Sequence, residues 1–335
     1  MPTEFIGRDG ENQIATGDVA TRLLANNMDV GALRTNTVLQ KDEWEMLDTA
    51  VIEVARERLN GVADLVGRGL TFDVPNGMGT TIVQHETRSE MTAAQVSMDG
   101  VTRSQNDRVT FNLISTPLPI IHHDFQITAR NLASSRRQGT PLDTTQVEEA
   151  TRQVAETTED LLFNGLTTGD VLGFGSDTAT IFGYTNRTSR NTVTLATQWD
   201  ASAATGAVIL ADVIAMVAAA HTDRMFGPYI LYIPTNYWVE LIDDFKANSD
   251  KTILQRIREI DGIADVKPAD KLADDNVLLV QMTKSNVDMV IGMQPTTVQW
   301  ETQGGMVLFF KVMSIMVPRI KLDHNNRSGV VHLAA

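Results

Sequence analysis

The stretch from Pro141 to Gly165, PLDTTQVEEATRQVAETTEDLLFNG, constrains the fold of this chain more than any other. Its apolar positions are Leu142, Val147, Val154, Leu161 and Leu162, with Ala150 and Ala155 beside them. From Val147 to Leu161 the step is seven residues, so a helix here carries one narrow apolar stripe. Glu148, Glu149, Glu156, Glu159 and Asp160 are expected to turn mostly away from that stripe. Pro141 suits a first helical turn, where a missing N–H costs nothing. Asn164-Gly165 tolerates the left-handed geometry found just past a helix end. A helix over 142–164 is about 23 residues and 34 Å long. Such a length is unusual in a globular domain, and periodicity alone predicts a core helix with one buried face.

The flanks give it context. Residues 1–40 are polar and irregular, with one short helical pattern near Asp18 to Asn26. Trp44, Leu47, Val51, Ile52, Ala55 and Leu59 share one helical face, and Asn60-Gly61 is the expected stop. Residues 67–112 then hold Gly67, Gly69, Gly77, Gly79 and Gly100, with short alternating pieces at Thr80–His85 and Arg108–Leu113. They predict a long two-stranded excursion with a polar tip and no core of its own. A hairpin of that kind is marginal alone and needs something to lie on. Leu118–Thr128 reads as a strand and Ser134–Gly139 as a loop. After the long helix, Leu210, Val213, Ile214 and Val217 mark a helix, and Tyr229–Ile233 marks a strand. Asn236–Phe245 and Ile253–Ile260 read as helices. Val277–Gln281, Asp288–Ile291, Thr296–Trp300, Met306–Val312 and Ile315–Leu322 read as strands, the last near an edge because it contains Pro318. The expected class is α+β.

Composition excludes several chemistries. None of the 335 residues is Cys, which removes disulfides, thiolate nucleophiles and Cys-based metal centres. No apolar run approaches the ~18 residues that span a bilayer. The N-terminus, MPTEFIGRDGENQ, lacks the basic-then-apolar order of a secretory signal, so a cytoplasmic origin is expected. The net charge of −14 opposes tight binding to nucleic-acid phosphates over a broad face. His122-His123-Asp124 is the most metal-like triplet, but strand neighbours point to opposite faces and do not readily share one ion. Gly173-Phe-Gly175 and Gly67-Arg-Gly69 lack the third glycine and following helix of a dinucleotide loop. Asp243-Asp244 and Asp274-Asp275 read as solvated helix ends. Asn186-Arg-Thr188 and Asn326-Arg-Ser328 match the glycosylation pattern, which a cytoplasmic protein does not use. Arg136-Arg137 fits either a solvated loop or pairing with an adjacent subunit. No catalytic, cofactor-binding or metal site is therefore expected. Two classes remain open at this point: an α/β enzyme whose site the sequence does not reveal, and a structural protein that works by surface complementarity.

Several local sequences carry a resemblance. The long helix ends Asp160-Leu-Leu-Phe-Asn-Gly165. Phe182-Gly-Tyr-Thr-Asn186 is similar to a Gly-Leu-x-Asn loop, with Tyr184 and Thr185 in place of its usual residues. Lys41-Asp-Glu-Trp44 with Leu47-Asp48, Val287–Gly292 and Val307–Leu322 complete the set. In this order, across about 30–332, the chain resembles the major capsid proteins of tailed bacteriophages. That HK-ninety-seven-type fold also builds encapsulin nanocompartment shells, and Lys41–Asp48 looks like the encapsulin-related branch.

The resemblance implies an N-terminal arm (1–40), a peripheral-domain helix (41–65) and an extended loop (66–112). It further implies a peripheral domain with its spine helix (113–190, helix 142–164), an axial domain (191–304) and a return to the peripheral domain (305–335). It implies a homo-oligomer of pentamers and hexamers in an icosahedral shell of a virion, assembled in a bacterial host cytoplasm. Implied partners are scaffold, portal and cement proteins, and packaged double-stranded DNA held without sequence-specific contact, with no membrane. The alternatives are an encapsulin shell around a cargo enzyme and, in another class, a cytoplasmic α/β enzyme. Some members of the family crosslink a loop Lys to a neighbour's Asn. Here no lysine lies between Lys41 and Lys246, so the loop offers no such amine.

Overall fold

The protein is described here by a computed structural model, which covers all residues except 1–3, 7–11, 15–49, 52–59, 90, 95, 99–107, 139–144, 167–179, 196, 247–250, 303–306, 324 and 335. The pattern near Asp18–Asn26, the face from Trp44 to Leu59 apart from Val51, and the Gly173–Gly175 pair lie outside the described residues. Strands β1 (Glu4–Ile6) and β2 (Asn12–Ile14) form an antiparallel pair. The chain divides into two compact units. One comprises Met1–Thr81, Leu118–Leu162 and Met289–Val317; the other comprises Ile82–Pro117, Phe163–Asp288 and Pro318–Ala335.

In the first unit, helix α1 (Asn60–Gly67) runs through the residues expected to end a helix. The reason is a carboxylate. Glu159 accepts hydrogen bonds from the backbone N–H groups of Gly61 (2.7 Å) and Val62 (3.3 Å), so Asn60-Gly61 opens this helix. Its stop comes at Gly69, in the left-handed region at φ 69°, where Leu70 N–H bonds back to Leu65.

The main sheet of this unit has the order β3–β11–β12–β6. Strand β3 (Thr71–Asp73) is parallel to β11 (Val287–Thr302), and β6 (Ile121–Thr128) is antiparallel to β12 (Val307–Ile320). The two pairs of short strands expected between 288 and 322 are thus two long strands. Pro318 is accommodated because pairing with β6 ends at Ser314. Helix α2 (Ala129–Gln138) occupies most of the segment expected as a loop. Its polar run is held helical by Leu132, which is buried with Val51, Val147, Leu308 and Phe310. Tertiary packing outweighs local propensity there.

Helix α3 (Thr145–Phe163) is the long helix; the expected start at 141–144 lies outside the described residues. Val147 joins the Leu132 cluster, and Ala150 and Val154 pack with Val312 of β12, so the sevenfold stripe is the buried face. One expected surface residue is not on the surface. Glu159 is buried, since it caps α1.

The second unit holds a five-stranded sheet of order β7–β13–β10–β8–β9. Its strands are β7 (Asn191–Thr194), β8 (Tyr229–Ile233), β9 (Ile263–Pro268), β10 (Val277–Gln281) and β13 (Val330–Ala334). β8 and β10 are buried at every position, which their unbroken apolar runs anticipate. Over them lies α4 (Gly206–Thr222), with Ile209, Val213, Met216, Val217 and Ala220 inward. Two short helices follow, α5 (Thr235–Glu240) and α6 (Ile253–Arg258); the latter opens with a capping box between Thr252 and Gln255. The end of the segment 305–335 adds a strand to this sheet. β13 pairs with β10 and β7, because Val330, Val331 and Leu333 complete that sheet's core.

Candidate assembly surface

The predicted excursion is a hairpin of β4 (Ile82–Arg88) and β5 (Phe111–Pro117), antiparallel over seven paired positions. Its base is shifted from expectation, since 71–73 belong to the four-stranded sheet instead. Alternation gives the hairpin two faces. Val83, His85, Ile114 and Thr116 are buried or half-buried on one. On the other, Ile82 pairs with Pro117, Gln84 with Ser115 and Glu86 with Leu113, ending at Phe111. Ile82 is 45% exposed, Leu113 53% and Phe111 64%. Towards the tip Met91, Val96 and Met98 are exposed too. Ile82, Leu113 and Phe111 thus stand exposed on one face, beside Gln84, Glu86 and Ser115.

A buried ion cluster acts through its charges on His85 of the inner face. Asp288 is fully buried and accepts two bonds from Arg319 (2.8 and 2.6 Å), while Lys321 lies 2.7 Å from the same carboxylate. Burial alone would raise the Asp288 carboxyl. The hydrogen bonds and charges of Arg319 and Lys321 outweigh it and hold the group below its ordinary value. His85 is pushed down to about 4, first by burial and then by the charges of Arg319, Lys321 and Arg187, with Asp288 opposing.

Beyond α3 the chain is locked by the motif 181–186. Gly165 sits at φ 68°, and a Cβ there would strike Asn186 and the backbone of Gly183. Gly183 N–H donates to Asn186 Oδ1 (2.8 Å), and Asn186 Nδ2 donates to Ile181 O (3.1 Å). Thr185 Oγ1 donates to Phe163 O (3.0 Å). Tyr184, which replaces an aliphatic residue of the resembling loop, is fully buried against Phe163 (ring centroids 5.8 Å) and Tyr232 (6.4 Å).

The other residues singled out from the sequence are accounted for locally. His122 and His123 are exposed; His122 Nδ1 lies 3.5 Å from Asp124, which Lys311 also reaches at 3.4 Å. Among the described residues no three His, Asp or Glu side chains are placed to hold a metal ion. Asp275 accepts from Asn236 (3.2 Å) and Gln198 (3.0 Å), and Asp243 accepts from Asp244 N–H (2.8 Å), so these carboxylates shape turns. The Arg136 and Arg137 side chains lie outside the description. Among the described residues no helix is long and apolar enough to cross a membrane.

Sequence reasoning missed two features of this region. One is the Asp288–Arg319–Lys321 cluster, whose members are separated by about 30 positions and carry no short-range pattern. The other is His85, which reads as an ordinary polar residue of an alternating strand.

Comparison with known proteins follows the same outline. The type 1 encapsulin shell protein EncA of Myxococcus xanthus is 23% identical over 268 residues, covering 76% of this chain and 81% of that protein. The virus-like particle protein of Pyrococcus furiosus has a TM-score of 0.61 at 16% identity, over 87% of this chain and 98% of that one. The capsid of Myoviridae phage XM1 has a TM-score of 0.63 at 12% identity, over 81% and 91%. At these identities the structural likeness carries the fold, and that fold is the HK-ninety-seven type from which phage capsids and encapsulins build shells. A family model described as a family of unknown function (DUF6260) matches residues 32–333, which take in the hairpin, the long helix with its Gly165 lock and both sheets, so the chain belongs to that family.

Proposed function

We propose that the chain is the major shell protein of a tailed-phage head, self-assembling into pentamers and hexamers around double-stranded DNA. The observation that carries the reading is the hairpin's outer face, which exposes Ile82, Leu113 and Phe111 on a strand pair too small to be stable alone. In a shell that face lies on a neighbouring subunit, and many modest contacts close the container. The role is structural rather than enzymatic. On this reading the four-stranded unit is peripheral, the unit with β7–β10 is axial, and portal, scaffold and cement proteins are the partners. Assembly takes place in the bacterial host and the product is a virion component. Electron microscopy of the purified protein, with its nucleic-acid content measured, tests it. Closed shells holding DNA are expected; a stable monomer that never assembles refutes it.

A second reading within the same fold is an encapsulin shell around a cargo enzyme. It is favoured by the 23% identity to EncA and by the 98% coverage of the Pyrococcus particle protein. Particles that contain a defined protein and no DNA would select it.

A further inference from the structure

The hairpin's inner face carries a group for which assembly has no evident need. His85 stands mid-way along β4, opposite Ile114 of β5. Both of its ring nitrogens are buried, and neither has a hydrogen-bond partner among the described residues. Keeping a ring N–H and a ring nitrogen acceptor without partners in such a place is costly. The charges facing it are lopsided: Arg319 at the end of β12, Lys321 just beyond it and Arg187 of the motif loop, against the single carboxylate of Asp288. That carboxylate is already engaged by Arg319 and Lys321. Arg187 stacks over Phe182, 4.3 Å from the ring centroid, so it is held in place as well. A neutral imidazole is tolerated there, whereas an imidazolium would add a fourth cation beside a carboxylate that Arg319 and Lys321 already engage.

We propose that His85 is an acid-operated latch: protonation of its imidazole drives β4 off the Asp288–Arg319–Lys321 cluster and releases the hairpin. The direction follows from the two end states. Seated, His85 is held at about 4 against an ordinary 6.5, by burial first and then by the three cations. The hairpin is therefore fully seated above pH 6.5, and its seating is lost as pH falls through about 4. The latch stands on the geometry of one subunit; its consequence for a shell, an acid-triggered loosening, rests on the assembly reading above.

The test is hydrogen exchange of residues 82–88 and 111–117 between pH 7 and 3, corrected for intrinsic rates, on the full chain and on His85→Gln. Wild-type protection is expected to fall ~10-fold or more between about pH 5 and 3.5, one pKa unit being worth a factor of ten. Peptides of α4 should stay protected, and His85→Gln should keep its hairpin protected through the window. Parallel loss in both proteins would assign the transition to another group, such as Asp288, and overturn the latch. A wild-type midpoint near 6.5, or no transition above pH 3, would also overturn it. Should His85→Gln fail to fold, Arg187→Gln decides: removing one facing cation must raise the midpoint, and an unchanged midpoint rejects the proposal. Microscopy of the same samples at pH 7 reports separately on assembly. Transition without shells counts against the assembly reading alone, and shells without transition count against the latch alone.

Discussion

At the scale of single residues, stability is concentrated in a few buried polar contacts that the apolar pattern does not advertise. Asp288→Asn leaves Arg319 buried with half its partner gone, and breaking a buried pair costs about 3–5 kcal/mol. Thermal unfolding should show the loss, and an equal midpoint for wild type and variant would contradict it. Glu159→Ala removes the carboxylate that holds two N–H groups of α1, an expected cost of about 1.5–3 kcal/mol by denaturant titration. His332 gives a prediction about protons. Arg190 Nε donates to its Nδ1 (3.0 Å), so Nδ1 is the bare nitrogen and Nε2–H faces Asn276 Oδ1 (2.7 Å). Burial, then the Arg190 charge, pushes His332 down to about 4. Its folded pKa lies below its unfolded one, so its contribution is complete above pH 6.5 and lost as pH falls through about 4. Ring resonances of His332 should stay constant from pH 8 to 5.5; a titration centred near 6.5 would refute the assignment.

At the scale of elements, the hairpin is the part whose removal should separate folding from assembly. Replacing Phe111 and Leu113 with Glu alters exposed positions, where changes in stability stay within about 0.5 kcal/mol. The double variant should therefore unfold at the wild-type temperature while its yield of particles on size exclusion falls at least ~10-fold, since several kcal/mol of contact are lost per neighbour. Normal particle yield would exclude this face as a contact. The elements differ in how plainly the sequence announces them, and the reasons are physical. The stripe Val147, Ala150, Val154 was readable because a helix buries one face at a fixed period. Gly165 was readable because a helix end needs left-handed geometry. β8 and β10 were readable as unbroken apolar runs. α2 was not, since Ser134 and Ser135 favour loops and only the distant partners of Leu132 decide otherwise. β9 was missed because Asp265 and Lys267 interrupt it; its pairing with β8 is what makes it a strand. The inward turn of Glu159 depends on N–H groups nearly 100 positions away, which no local reading supplies.

At the scale of the whole molecule, charge and lysine placement set two expectations. The chain carries −14, so its binding to duplex DNA should depend only shallowly on salt, few phosphates being neutralised. A steep log–log slope in a filter-binding titration would contradict that. No lysine lies between 41 and 246, so any particle should return to a single 36.8 kDa band when boiled in SDS; a surviving ladder of oligomers would reveal a crosslink from elsewhere, with Lys246 and Lys251 the first to examine. A different consequence follows from strand order. Among the described residues β7 pairs only with β13, and the partners Asn191 and Val331 stand 140 positions apart. On a ribosome moving at about 5–20 residues per second, β7 therefore waits roughly 7–28 s for the strand that shelters it. During that delay β10 also lacks a neighbour on one side, and the nascent sheet shows an unpaired edge to every other chain on the same message. The chain is thus most vulnerable to tangling with its siblings before residue 330 is made, and slow codons or crowded polysomes upstream of that point should govern how much usable protein a cell obtains.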